Sequence, residues 1–202
     1  MPRTHHHSYQ STSRTHHYSS LSSLMYKALL LILVGFALVW VVKTYLPSSQ
    51  QESSVVGSPT ISANFINRVL AYYHSPASGK GQALYDDGVK YGIDPAFALA
   101  FFLEESNFGT QGVARVTHSL GNIRAVSGYP QVDGYRYYRT WEEGFEDWYK
   151  LISQQYVTQW GLSTVDQIIP VYAPGSDNND EAAYIQTVKS AVSTWRSGQV
   201  EV

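Results

Sequence analysis

The chain changes texture twice along its length. Residues 1–23 are Ser, Thr, His, Arg and Tyr with almost no aliphatic side chain. Such a stretch cannot bury enough apolar surface to offset the entropy of ordering, and a disordered polar tail is expected. "ALLLILVGFALVWVV" (28–42) then runs without a polar face, unlike a helix that lies on a soluble core. From about Ile61 onward, apolar and polar positions alternate with a helical period, and some 140 residues remain, enough for one self-standing core.

The apolar run is shorter than the roughly 20 residues a helix needs to cross a bilayer. Leu24, Met25 and Tyr26 extend it on one side, and Tyr45 and Leu46 on the other. Lys27 and Lys43 can reach back to the interface, where Trp40 and Tyr45 also fit. A cleaved signal peptide would have a shorter leading region and a small-residue cleavage site, which "KTYLPSSQ" does not offer. The expectation is a single transmembrane signal anchor over 24–46. Arg3, Arg14 and Lys27 precede it and Lys43 follows, which puts the N-terminus in the cytoplasm and the later domain outside the membrane. "PSSQQESSVVGSPT" (47–60) reads as a Ser/Pro-rich linker, leaving 61–202 as the folded domain.

Within that domain "ISANFINRVLAYYH" places Phe65, Ile66, Val69, Leu70 and Tyr73 at helical spacing. "GKGQALYDDGVKYG" predicts a second helix ending at Gly92. In "IDPAFALAFFLEES", Asp94 can cap and Pro95 takes the first helical position, with the end between Ser106 and Gly109. Residues 112–139 carry Gly112, Gly121, Gly128, Pro130 and Gly134 between short apolar runs, so loops and a small hairpin are expected. "TWEEGFEDWYKLISQQYV" opens with Thr140 and Glu143 in capping-box relation and continues as one helix. A short helix follows Ser163. "DEAAYIQTVKSAVSTWR" closes the chain with a buried stripe of Ala183, Ile185, Val188, Ala191, Val192 and Trp195. The class is mainly α (α+β), with a small β-hairpin lobe.

Charge narrows the function. Before Gln50 there are four Lys/Arg and no Asp/Glu, so the rest carries ten basic and sixteen acidic residues, a net of −6. That sign disfavours a nucleic-acid partner. The absence of cysteine excludes disulfides and thiolate metal sites. Five of seven histidines lie in the tail at spacings that match no ordered ligand set, so neither metal nor cofactor is expected. No phosphate loop, nucleotide fingerprint or nucleophilic Ser elbow is present.

One segment carries chemistry. "ALAFFLEESNFGT" (98–110) drives an apolar helix into Glu104 and Glu105 at its C-terminal end. There the macrodipole disfavours a carboxylate, and apolar neighbours one turn back desolvate it, so at least one of the pair should have a raised pKa. A carboxyl that stays protonated near neutrality is what a general acid needs to protonate a leaving oxygen, as in glycoside cleavage. The spacing alone equally fits two surface carboxylates, or partners for Arg115 or Arg124. Aromatics suited to stacking on sugar rings cluster at Phe108, Tyr129, Tyr135, Tyr137, Tyr138 and Trp141, though a hairpin would send about half of them inward.

"ALAFFLEESNFG" resembles the catalytic helix of the lysozyme-like superfamily, most closely the bacterial endo-β-N-acetylglucosaminidase domain of flagellar and autolysin type. That family carries an apolar helix ending in Glu-Ser-x-x-Gly, met here by Glu105-Ser106-Asn107-Phe108-Gly109. Its Asn-Asn-Leu-Phe-Gly-Ile-Lys segment corresponds to "HSLGNIR" (118–124), similar at Leu120, Ile123 and Arg124 and altered between them. Its Phe-Arg-x-Tyr-x-Ser-x-x-Glu-Ser pattern is met by "YRYYRTWEEGF", with Tyr138, Thr140 and Glu143 at the Tyr, Ser and Glu. "VYAPGSDNNDEAAYIQTV" resembles a C-terminal segment common among such wall hydrolases, so the likeness spans about residues 78–196.

The resemblance implies a peptidoglycan hydrolase that cuts the glycan strand at N-acetylglucosamine, with Glu105 as general acid. It implies substrate assistance by the N-acetyl group, with Tyr138 stabilising the intermediate and Asp133 as the optional second carboxylate. Phe108, Asn122, Tyr135, Tyr137 and Trp141 are the expected substrate contacts, with Asn122 toward the N-acetyl group. His118 is expected as a satisfied loop histidine, and Asp177 and Asp180 as loop and cap groups. The alternatives are a lytic transglycosylase or muramidase on the same fold, or a non-catalytic glycan-binding module. "SLGNIRA" stands where a transglycosylase would carry Gly-Leu-Met-Gln, which argues against the first.

Overall fold

The computed structural model describes residues 25–37 and 53–202 of the 202-residue chain. The chain divides into two units, one ending at Pro47 and one starting at Ser48. In the first unit residues 25–37 form a helix, α1, exposed along its length. No helix among the described residues is long and apolar enough to cross a membrane. The expected tail at 1–23, the remainder of the expected span at 24–46, and residues 47–52 of the expected linker lie outside the described residues.

The second unit is mainly helical. Its helices are α2 (Ala63–Tyr72), α3 (Gly81–Tyr91), α4 (Pro95–Ser106), α5 (Ala114–Thr117), α6 (Trp141–Lys150), α7 (Val165–Tyr172) and α8 (Glu181–Arg196). A two-stranded antiparallel hairpin, β1 (Gln131–Val132) and β2 (Tyr135–Arg136), is the one sheet among the described residues. The expected helices and hairpin are all present, and three features differ from the sequence reading.

The domain starts earlier than Ile61. Val55 is fully buried, its N–H donates to the Ser163 carbonyl at 2.9 Å, and its own carbonyl accepts from Asp94 N at 2.9 Å. The serines and glycine that signal a linker here flank Val55, which the core claims, while Val56 beside it stays exposed. The helix beginning at Trp141 does not continue as α. Residues Leu151–Gln159 wind as a π-helix, a form that in short stretches is frequent at functional sites. The buried stripe of α8 is Tyr184, Val188, Ala191, Val192 and Trp195, while Ala183 is exposed.

Helix α4 is the axis of this unit. Pro95 through Phe102 are all buried, so the helix is apolar on every side because it is packed on every side. Asp94 sets its start: the carboxylate accepts from Ala96 N at 3.1 Å, Thr60 Oγ1 at 2.6 Å and Arg196 Nη2 at 2.9 Å. That single buried group ties together the domain's first segment, α4 and the end of α8. Phe101 and Phe102 meet Trp148 at ring-centroid distances of 5.4 and 5.2 Å, which joins α4 to α6.

Candidate active site

The end of α4 is built by the Glu-Ser-x-x-Gly run itself. Asn107, Phe108 and Gly109 all have positive φ (44°, 54° and 80°), which reverses the chain directly after Ser106. A Cβ at Gly109 would come within 2.8 Å of Leu120 Cδ2, so glycine fits both the dihedral and the space. Ser106 Oγ donates to the Leu120 carbonyl at 2.8 Å and accepts from Gly109 N at 2.8 Å. The serine thus staples the helix end to the loop of residues 118–124. That loop is held against α6, where Gly144 lets the His118 carbonyl approach, and against Trp148, which Gly121 admits.

Glu105 is half-buried at this junction. Its Oε1 accepts a hydrogen bond from the Tyr184 hydroxyl at 2.8 Å. Asn122 Nδ2 donates to the Glu105 backbone carbonyl at 2.6 Å. Burial raises the Glu105 pKa to about 7, and the neighbouring Glu104 charge adds to it, while Tyr184, Arg124 and Asn122 oppose it. Desolvation therefore outweighs the hydrogen bonds that favour the ionised form. Glu104 is more exposed, and its pKa is also raised by desolvation.

Glu105 lines a cavity of about 400 Å³, together with Asn122, Arg124, Tyr135, Gln155, Tyr156 and Asp177. The π-helical segment supplies Leu151, Gln155 and Tyr156, and α7 with the loop after it supplies Tyr172, Pro174 and Asp177. Arg124 stacks over the Tyr135 ring at 4.9 Å, and its Nη2 lies 4.0 Å from Asp177 Oδ2 across the lining.

Of the expected site residues, Glu105, Asn122 and Tyr135 meet in this cavity. Phe108, expected to touch sugar, is fully buried between Tyr73 and Trp195. The tight reversal after α4 turns its ring into the core. Asp133, expected as a second carboxylate, sits exposed at the hairpin tip beside Gly134, with φ of 51° and 83°. Those are the paired positive dihedrals of an Asp-Gly type I′ turn, so the turn accounts for the residue. Tyr138 donates its hydroxyl to Asp147 Oδ2 at 2.6 Å and lies outside the lining of the Glu105 cavity; burial pushes its pKa far up. Tyr137, with Tyr129 and Tyr138, lines a second cavity of about 640 Å³. Trp141 packs edge-on to His118 at 5.0 Å, and His118 Nδ1 bonds the Tyr138 carbonyl at 2.8 Å.

The sequence reading missed Tyr184, Tyr156 and Tyr172. Tyr184 could have been found from the spacing 184, 188, 191, 192, 195, which fits a single helical face better than one starting at Ala183. Tyr156 had no such signal, because nothing in "KLISQQYVTQW" announces a π-helix.

A carboxyl that holds its proton near neutrality, in a cavity rich in hydroxyl and amide groups, is the equipment of a glycosidase general acid. Residues 81–199, more than half of the chain, match the family model Glucosaminidase, described as mannosyl-glycoprotein endo-beta-N-acetylglucosaminidase, and the chain belongs to that family of glycoside hydrolases. No curated protein matches the sequence. Among solved structures, autolysin E of S. aureus, in complex with the muropeptide NAM-L-Ala-D-iGlu, is similar at 11% identity and a TM-score of 0.48, covering 78% of each chain.

Proposed function

We propose that the chain is a membrane-anchored peptidoglycan hydrolase, held through residues 24–46, whose domain acts outside the cell and cuts the glycan strand at N-acetylglucosamine. Family membership supports the reaction class. The observation that carries the catalytic assignment is Glu105 in a tyrosine-rich cavity with its pKa raised to about 7.

In this reading the Glu105 carboxyl gives its proton to the glycosidic oxygen as the C1–O bond breaks. The carbonyl oxygen of the 2-acetamido group attacks C1 and forms a cyclic oxazolinium intermediate. Water then attacks C1, passing a proton to the Glu105 carboxylate, and the ring reopens to the acetamide. Substrate assistance of this kind is a recognised exception to the two-carboxylate rule. The lining supports it, because the other carboxylate there is Asp177, which faces Arg124. Tyr138 enters as a positioning residue for the hairpin, through Asp147.

Digestion of purified cell wall by the native chain and by Glu105→Gln tests the reading. Release of fragments with reducing N-acetylglucosamine ends by the native chain alone is expected. Anhydro-muramic or reducing muramic ends, or equal release by the variant, would overturn it.

A further inference from the structure

The second cavity, of about 640 Å³, shares no lining residue with the one that holds Glu105. The Arg136–Asp147 ion pair, 2.7 Å long, links the two, with Arg136 in the first lining and Asp147 in the second. On α6, Glu143, Glu146, Asp147 and Lys150 fall at i, i+3, i+4 and i+7, which gathers them on one helical face about 10 Å long. The segments flanking the hairpin add Tyr129, Pro130 and Tyr137. Tyr137 N donates to the Pro130 carbonyl at 2.8 Å, which fixes the two tyrosines on one wall. Their rings are 42% and 38% exposed, and the Arg136 guanidinium covers one face of Tyr129 at 4.1 Å. Partly open rings on a fixed wall suit the apolar face of a pyranose.

The charges of this cavity are unevenly engaged. Each carboxylate already has a donor. Glu143 Oε2 accepts from Arg139 N at 2.9 Å, Glu146 Oε1 from Lys90 Nζ at 2.5 Å, and Asp147 Oδ2 from Arg136 and Tyr138. The two cations of the lining differ. Neither the Arg139 guanidinium nor the Lys150 ammonium forms an ion pair or a hydrogen bond among the described residues, and Lys150 acts on Glu146 only at longer range. Arg139 lies just before the start of α6 and Lys150 is its last residue, so the free positive charges flank the strip at its two ends.

We propose that this second cavity binds an acidic saccharide, a chain of pyranose rings that carry carboxylates, with Tyr129 and Tyr137 against the rings and Arg139 and Lys150 on the carboxylates. The free cations have nothing to pair with in a neutral glycan. A linear phosphodiester polymer offers the tyrosines no flat apolar face. A guanidinium meets a carboxylate in a planar, two-bond geometry, and an ammonium meets it as a point charge. The site goes beyond the hydrolase reading and does not depend on the role of Glu105.

The test uses the full chain in the Glu105→Gln background and two probes with one backbone: a β-1,4-linked tetramer of glucuronic acid and the neutral β-1,4-linked tetramer of glucose. Calorimetry should show the acidic tetramer binding about tenfold more tightly at low salt, with the preference shrinking as ionic strength rises. Arg139 and Lys150 are exposed, so Arg139→Gln and Lys150→Gln are expected to fold. Each should cut the preference about threefold, the scale of one exposed charge pair, and the double variant should abolish it. Tyr137→Ala should weaken both tetramers alike. Arg124→Gln, in the Glu105 cavity, should leave the preference intact, and the N-acetylglucosamine tetramer should not displace the acidic one. Equal binding of the two probes overturns the proposal. So does a preference lost in Arg124→Gln and kept in the Arg139/Lys150 double variant, which would seat the acidic sugar beside Glu105. Poly(glycerol phosphate) binding as tightly as the acidic tetramer also overturns it, since charge alone would then be read.

Discussion

The Tyr184 hydroxyl donates to Glu105 Oε1 at 2.8 Å across 79 residues of sequence, so the last helix of the chain sets the chemistry at the end of the central one. The contact favours the ionised carboxylate and opposes the burial that raises its pKa to about 7. Tyr184→Phe removes the donor and keeps the ring against Phe101. The Glu105 pKa should then rise further, and a general acid stays competent to a higher pH. The alkaline limb of the pH–rate profile should move upward in Tyr184→Phe. A downward or absent shift would show that the hydroxyl does not tune this proton.

Glu105 also links stability to pH. Its folded pKa of about 7 lies above the 4.5 expected of the unfolded chain, so the native state holds the proton more tightly. The stability this confers is complete below 4.5 and is lost as pH rises through about 7. Glu105→Gln mimics the protonated form at every pH. It should lower kcat by roughly 100- to 10,000-fold. Thermal unfolding should show the variant more stable than the native chain at pH 8 and equal to it at pH 4. A variant less stable at pH 8 would contradict the buried-carboxyl description.

The parts of this site legible in the sequence are those carried by local pattern. Asp94-Pro95 announces the start of α4, the apolar run announces its burial, and Glu105-Ser106 its end. Of the expected capping box only half forms: Glu143 N donates to Thr140 Oγ1 at 3.2 Å, while the Glu143 carboxylate accepts from Arg139 N instead of Thr140 N. The direction in which each aromatic points was not legible. Phe108 and Tyr135 look alike as sugar platforms, yet a reversal of three positive dihedrals buries the first, and the hairpin register brings the second to the cavity. Long-range partners such as Tyr184 and the π-helical placement of Tyr156 depend on packing, which a period of 3.6 residues does not encode.

Gly144 opposes helix propensity to packing. In the interior of α6, replacing glycine by alanine should gain about 1 kcal/mol from propensity. Here the added Cβ would lie 2.1 Å from the His118 carbonyl oxygen, a backbone atom of the loop that carries Asn122. Overpacking of this kind typically costs about 1–3 kcal/mol, and a backbone obstacle belongs at the upper end. Gly144→Ala should therefore destabilise by about 2 kcal/mol net in urea unfolding, and lower activity by moving the loop. A stabilised variant would mean that the loop yields without resistance.

Asp147 holds the hairpin to α6. Its Oδ2 accepts from Arg136 Nη1 at 2.7 Å and from the Tyr138 hydroxyl at 2.6 Å, and the two ionic side chains are only 10% and 16% exposed. Arg136 further donates through Nε to the Arg124 carbonyl at 3.2 Å, so the cluster also steadies the cavity wall. Removing the carboxylate strands a mostly buried guanidinium, and Asp147→Ala should lose about 3 kcal/mol of stability. Tyr138→Phe deletes one hydrogen bond of the same cluster. It should cost about 1 kcal/mol and leave kcat/KM within roughly threefold, because the hydroxyl is engaged by Asp147. Unfolding midpoints and steady-state kinetics on both variants check this. A fall in kcat of a hundredfold or more in Tyr138→Phe, with stability intact, would instead place that hydroxyl at the reacting sugar.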